Sequence, residues 1–165
     1  MKPKPQKRHP SLIPLSHDHH HGLVMAERLV RGRAANPGAD WPEEATDQGE
    51  RLLRFFESDL EPHFEAEEKH LFPLAARVLT DGAERTGALL RDHERMRGMI
   101  RAIGREPDGV TRERLRAFGE LLRAHIRREE RDFFPRVQAE FAPEELEALA
   151  AALADAATGA ACRRR

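Results

Sequence analysis

The sequence predicts an all-α protein, an antiparallel up-and-down four-helix bundle with a short C-terminal fifth helix. Charged residues make up 35% of the 165 residues and aromatic residues only 5%, which is typical of helices with solvated outer faces. Apolar residues recur at steps of three and four along four long stretches. Short connections containing Gly, Pro or Asp separate the stretches, and short connections favour antiparallel neighbours.

We expect one domain over residues 11–158, because a chain of this length can bury a core of its own. Residues 1–10 are basic and rich in proline, so we expect a disordered tail there. Residues 159–165 carry no clear signal and are expected to form a flexible C-terminal tail.

The first helix is predicted from about Pro14 to Arg33. Its apolar positions recur at helical spacing with a gap of one place, and His19 fills that gap. The apolar positions are Leu12, Leu15, Leu23, Ala26 and Val30. The neighbouring His20 and His21 share stripes with polar residues and are predicted to face outward.

The second helix is predicted from Pro42 to about Thr80, since proline and acidic residues favour a first helical turn. Pro62 and Pro73 lie inside it and are expected to bend it. Its inward stripe is predicted to be Leu52, Phe56, Leu60, His63, Glu67, Leu71, Leu74 and Val78.

The third helix is predicted to open at Asp81 and Glu84, which resemble a capping pair, and to end at the Pro-Asp-Gly sequence 107–109. Thr111 is the predicted N-cap of the fourth helix. The third stripe contains Leu89, His93, Met96, Ile100 and Ile103; the fourth contains Leu115, Phe118, Leu122, His125, Glu129, Phe133 and Val137, with a kink at Pro135. A fifth helix is predicted from Pro143 to about Ala157.

Two segments repeat the same pattern. Residues 63–73 and 125–135 both begin with His-x-x-x-Glu-Glu and end with Phe-Pro. Residues four apart share one helix face, so each copy aims an imidazole and a carboxylate in the same direction. Leu-x-x-Asp-His precedes each copy, at 15–19 and 89–93. The chain therefore reads as two half-copies.

The repeat predicts a metal centre in the bundle core. The six candidate ligands are His19, His63, Glu67, His93, His125 and Glu129. Two buried carboxylates need cations, because burying an unpaired charge is costly, and the inward stripes contain no Lys or Arg. Imidazole and carboxylate together suit iron, manganese or zinc rather than calcium or magnesium. Six ligands fit two metals, each bound by two His, with both Glu as bridges; we favour two non-haem irons.

Four other histidines are weaker candidates. His17, His20 and His21 form a cluster near the N-terminus that is expected to face solvent and to bind nickel or zinc adventitiously. His70 follows Glu67 by three places, but we expect it not to bind metal.

These residues resemble the hemerythrin-like (HHE cation-binding) domain family over about Leu12 to Gln138. The resemblance implies a four-helix bundle with a non-haem di-iron centre, and it carries ligand roles onto the same six residues. Oxygen-carrying hemerythrins have a second third-helix His where this chain has Arg97, and His-x-x-x-x-Asp where it has His125 and Glu129. The resemblance therefore implies binding or sensing of oxygen, nitric oxide or peroxide, or iron handling, more than reversible oxygen transport.

Two alternative functions stay open. A ferritin-like di-iron oxidase needs Glu-x-x-His on two helices, and Glu67 to His70 matches once while Glu129 to Asp132 does not, so an enzyme is disfavoured. A zinc-bound or metal-free structural or interaction module is the other, with the arginine-rich face of the fourth helix as a docking surface for a protein partner that the sequence does not identify.

The remaining composition excludes several classes. A net charge of -1 gives no electrostatic case for binding nucleic acid or membrane. A single cysteine, Cys162, cannot form an internal disulfide, and no apolar run approaches a membrane span. We expect a cytoplasmic protein.

Overall fold

The structure, a computed structural model, describes residues 7–163, with side chains described for residues 7–157. Over 7–163 it contains five helices and no strand, which confirms the predicted all-α bundle. The helices are α1 (Ile13–Arg31), α2 (45–78), α3 (Gly82–Arg105), α4 (112–140) and α5 (Pro143–Arg163). Helix α1 packs along α4, and α3 packs against both α2 and α4. None of these helices is long and apolar enough to cross a membrane.

Helices α2 and α4 are continuous but contain wide π-helical turns. These are Phe56–Leu60 and Glu67–Leu71 in α2, and Glu129–Phe133 in α4. In the second turn the Phe72 N–H donates to the Glu67 carbonyl, five residues back instead of four. Each turn ends two residues before one of the prolines that are predicted to bend the helices, and each of the last two begins at a predicted ligand.

The π turn at Glu67 corrects the predicted stripe of α2. Leu74 and Val78, predicted to face inward, are only half-buried, whereas Ala75 and Leu79 are buried. A π turn holds one residue more than an α turn, so the positions after the turn, which ends at Leu71, are rotated by one place. The predicted stripe of α1 is also corrected. Gly22, Met25 and Leu29 are buried in α1, whereas Leu23 and Val30, which were predicted to face inward, are half-buried.

Several predicted helix ends shift. Helix α2 begins at Ala45 instead of Pro42. Thr111 caps α4 as predicted, its hydroxyl accepting from the Arg114 N–H at 3.3 Å. Asp81 makes no side-chain cap, since its carboxylate pairs with Arg85 at 2.7 Å and Arg136 at 3.3 Å.

The chain ends differ from the predicted tails where the structure describes them. Residues 1–6 of the predicted N-terminal tail lie outside the described residues, but Arg8 is paired with Glu130. Helix α5 continues through Arg163, past its predicted end near Ala157; residues 164 and 165 lie outside the described residues.

The apolar core has two layers. One contains residues from the start of α1, the ends of α2 and α4, and α5, including Leu15, Phe72 and Leu149. The other contains residues from the opposite ends of the helices, including Phe118 and Leu122. In each of the four bundle helices the predicted ligands lie in sequence between the two layers, so the core encloses them from both sides.

Candidate metal centre

The structure brings together all six candidate ligands, and each is at most 5% exposed. They form two overlapping groups of four, within each of which the facing atoms all lie within 4.8 Å of one another. One group contains His19 and His63, the other contains His93 and His125, and both contain Glu67 and Glu129.

Glu67 faces imidazoles from both groups. Its Oε1 lies 3.4 Å from His63 Nε2 and 3.8 Å from His19 Nε2, while its Oε2 lies 3.5 Å from His93 Nε2. The carboxylate therefore lies between the two groups, as a bridging ligand would.

Glu129 occupies the matching position from α4. Its Oε2 lies 3.0 Å from His19 Nε2 and 3.3 Å from His125 Nε2. The Nε2 atoms of His93 and His125 also face each other, at 3.1 Å. All four imidazoles thus present Nε2 to the centre.

A carboxylate holds the outer nitrogen of every imidazole. The pairs are His19 Nδ1 with Glu130 at 2.7 Å, His63 Nδ1 with Asp18 at 3.1 Å, His93 Nδ1 with Glu68 at 2.7 Å, and His125 Nδ1 with Asp92 at 3.4 Å. Because an ionised carboxylate only accepts hydrogen bonds, each Nδ1 is the donor. In a neutral ring Nε2 is then left with a lone pair directed at the centre, the tautomer that binds metal.

With all four rings neutral, the centre concentrates acceptors without donors. Six buried atoms there have no hydrogen-bond partner: Nε2 of His19 and His63, and both carboxylate oxygens of Glu67 and Glu129. Such a cluster is costly unless cations occupy it. Imidazole nitrogens with bridging carboxylates fit first-row metals such as iron and zinc.

Protons are the competing cations at these imidazoles. Burial disfavours a charged His63, but the Glu67 charge and the Asp18 hydrogen bond outweigh it and raise the pKa of His63 to about 10. Burial is likewise outweighed at His125, where the Glu129 charge contributes most to raising the pKa to about 10. The carboxylates of Glu67 and Glu129 therefore attract positive charge strongly.

His93 packs against two phenylalanine rings. Its ring stacks on Phe64 at a centroid distance of 3.8 Å and on Phe72 at 5.5 Å. Burial, followed by the charge of the adjacent His125, lowers the pKa of His93 to about 2. His93 is thus neutral and ready to bind metal over the whole physiological range.

The weaker candidates stay outside the centre. His17, His20 and His21 are exposed, and His70 is half-buried. Within the described part of the chain, none of these four joins a group of three or more ligand-type side chains.

Arg97 lies one helical turn after His93 in α3. Its guanidinium bonds to Glu68 Oε1 at 2.8 Å and to Glu61 at 3.0 Å, and lies 5.7 Å from the Phe64 ring centre. It supports the carboxylate behind His93 and supplies no ligand.

A cavity of about 300 Å³ lies against the outer side of His63, the one candidate ligand among its lining residues. Asp18 and Pro62 line it beside His63, and Leu153 of α5 contributes to the opposite wall. It opens at the Asp18 side chain, which is 54% exposed.

Sequence reasoning missed the four carboxylates that hold Nδ1. Asp18 and Asp92 immediately precede His19 and His93, and Glu68 and Glu130 immediately follow the two bridging candidates. The repeated Asp-His and Glu-Glu pairs were the signal that could have found them.

The comparisons with known proteins bear on the same stretch. A search of the curated proteins and a search of the solved structures each returned no significant match. The family model of the hemerythrin HHE cation-binding domain matches residues 12–137, which include all six candidate ligands. The chain therefore belongs to the hemerythrin HHE cation-binding domain family, a family of metal-binding helical bundles.

Proposed function

We propose that the protein holds a pair of non-haem iron ions and uses them to bind or sense a small molecule such as oxygen, nitric oxide or peroxide, or to handle iron. The observation that carries the proposal is the closed set of acceptors at the centre. Four imidazoles with their outer nitrogens already committed surround two carboxylates whose four oxygens have no donor.

Two cations account for this arrangement better than one. His19 and His63 would hold one metal, His93 and His125 the other, and Glu67 and Glu129 would bridge them, since both carboxylates belong to both groups. With two imidazoles and two shared carboxylates per ion, each iron keeps open positions. Iron bound there would supply redox chemistry and a place for a small ligand.

The cavity at His63 supports the small-ligand part of the proposal. It lies beside Asp18 and the outer side of His63, and its volume of about 300 Å³ suits a small molecule and not a polymer. The two apolar core layers above and below exclude bulk water from the rest of the centre.

Anaerobic loading with ferrous iron followed by nitric oxide titration tests the proposal. We expect new visible absorption bands that saturate with nitric oxide in the iron-loaded protein and are absent from the zinc-loaded protein. If the absorption spectrum of the iron-loaded protein does not change with nitric oxide, oxygen or peroxide, the result would contradict small-ligand binding. Iron handling would then be the remaining proposed role.

The alternatives gain no support from a specific contact. The ferritin-like pattern would need His70 as a ligand, and His70 lies outside both groups. Zinc fits the donor set too, so the metal identity is part of the proposal. The cytoplasmic location is also proposed, from a chain with a single cysteine.

A further inference from the structure

Arginines form a second layer around the carboxylates that hold the histidines. Three of the four carboxylates have one: Arg8 on Glu130 at 2.5 Å, Arg97 on Glu68 at 2.8 Å, and Arg128 on Asp92 at 2.8 Å. Asp18 has no arginine partner among the described residues. The arginines fix the carboxylates, and through them the imidazoles.

Arg8 differs from the other two because it lies before the family domain, which begins at residue 12. Its Nη2 donates to both Glu130 Oε2 at 2.5 Å and the Glu130 carbonyl at 3.0 Å, while Nη1 donates to Gln138 at 3.0 Å. The guanidinium also lies 5.3 Å from the Phe134 ring centre. Four contacts therefore hold this side chain against α4.

Glu130 divides its two oxygens between Arg8 and the centre. Oε2 takes Arg8, and Oε1 accepts from His19 Nδ1 and from the Ser16 hydroxyl, both at 2.7 Å. Without Arg8 the carboxylate would keep its partners on α1 but lose the charged partner that fixes its other oxygen. The His19 ring, whose Nε2 lies 3.0 Å from Glu129, would then be less firmly oriented.

We propose that Arg8 is a positioning residue for the metal centre, so that the N-terminal segment outside the family domain tunes how tightly the His19 group holds its metal. The inference rests on the proposed function, because it assumes that His19 binds a metal. It adds a regulatory handle: displacing the N-terminal segment leaves all six ligands in place but removes the fixed orientation of one.

Zinc release tests the proposal without iron chemistry. The full chain is loaded with zinc and mixed with excess chromogenic chelator, and release is followed for wild type, Arg8→Ala and Arg8→Lys. Loss of a partner behind a ligating histidine weakens metal binding by roughly 10- to 100-fold. We expect release from one of the two sites to speed up by about 10-fold in Arg8→Ala, with partial rescue by Arg8→Lys, which keeps the charge but not the forked geometry.

Gln138→Ala is the matched control, since it removes the Gln138 contacts with Arg8 and with the Lys7 carbonyl and leaves the Glu130 pair intact. The NMR resonance of His19 Nδ1–H in zinc-loaded protein distinguishes a positioning role of Arg8 from a purely structural one. It should exchange faster with water in Arg8→Ala, while the Nδ1–H resonances of the other three histidines stay unchanged.

A double-mutant cycle with Glu130→Gln tests whether Arg8 acts on the His19 group through Glu130. If Arg8 acts through Glu130, Arg8→Ala adds little in the Glu130→Gln background; fully additive effects would overturn the proposal. Wild-type release kinetics and an unchanged His19 signal in Arg8→Ala would overturn it as well. A wild-type chain that binds no zinc or iron would instead sink the proposed function itself.

Discussion

At the residue scale, the two half-copies of the repeat orient each other's histidines. Each aspartate serves its own half: Asp18 holds His63, and Asp92 holds His125. The glutamates cross over, because Glu68 of the first half holds His93, and Glu130 of the second half holds His19. Neither half can present its full set of oriented imidazoles without the other.

Replacing Glu67 or Glu129 by Ala should reduce bound metal well below the wild-type content. Each carboxylate belongs to both groups, so its loss weakens both sites. With metal present, the variants should also be less stable than wild type, by about 2.7 kcal/mol for each site that no longer binds metal, at a free metal concentration 100 times the wild-type Kd. Elemental mass spectrometry and thermal denaturation with and without metal measure the two effects.

Glu65→Ala is the control for the Glu67 variant, because Glu65 lies on the exposed face of the same helix. It should keep wild-type metal content. Full metal content in both the Glu67→Ala and the Glu129→Ala protein would show that these carboxylates are not the bridges.

The repeat made the six central residues predictable, since His-x-x-x-Glu places both side chains on one face whatever the rest of the fold. It did not show which carboxylates stand behind the imidazoles. Glu130 meets His19 across 111 residues, and that contact depends on how α1 and α4 are rotated against each other.

At the element scale, the π turns determine which side chains of α2 and α4 face the core after the candidate ligands. Glu67 and Glu129 each begin one, and the extra residue brings Phe72 and Phe134 inward beside the buried Leu71 and Phe133. Proline spacing hinted at an interruption, because Pro73 and Pro135 cannot donate to the preceding turn. Whether the chain responds with a bend or a π turn depends on packing, so a purely α-helical period misplaced Leu74 and Val78.

The contact between α1 and α4 predicts a sharp difference between two glycines. A Cβ on Gly119 would lie 2.7 Å from the Ala26 carbonyl oxygen and 3.0 Å from the Leu29 Cβ, so the helices must separate. We expect Gly119→Ala to lower the free energy of unfolding by about 1–3 kcal/mol. Denaturant titration measures the change.

Gly98→Ala in α3 is the matched control, because its Cβ would meet nothing closer than 3.9 Å. Alanine is a better helix former than glycine, so the free energy of unfolding of this variant should rise by about 0.5–1 kcal/mol. Equal effects at the two positions would refute the close approach of α1 and α4.

At the scale of the whole molecule, the buried charge makes stability depend on both metal and pH. The two apolar layers enclose the centre, and α5 contributes Leu146, Leu149 and Leu153 to one of them although it lies outside the family match. The Pro-Glu-Glu start at 143–145 and the run of Leu and Ala that follows predicted this helix. That α5 covers the apolar layer beside the centre could not be predicted from the sequence, because it depends on how the helices pack.

The metal-free protein should lose stability as pH rises from about 6.5 to about 10. His63 and His125 have pKa values raised from 6.5 to about 10, so their contribution is fully present below 6.5 and disappears as the folded protein deprotonates. Metal affinity should rise over the same range, since metal replaces these protons.

Denaturant titrations of metal-free protein at several pH values, repeated with zinc, check the pH dependence. The metal-free curve should fall with pH, and the difference between the zinc-loaded and metal-free curves should widen. A metal-free protein that becomes more stable between pH 6.5 and pH 10 would contradict the charge arrangement.

The most direct test of the central claim is metal content per chain, measured by elemental mass spectrometry on untagged protein from iron-supplemented cells. The account predicts close to two iron ions per chain, because two groups of ligands share both carboxylates. One zinc ion or less per chain, or no metal, would contradict the di-iron centre and leave the buried acceptors of Glu67 and Glu129 without a partner.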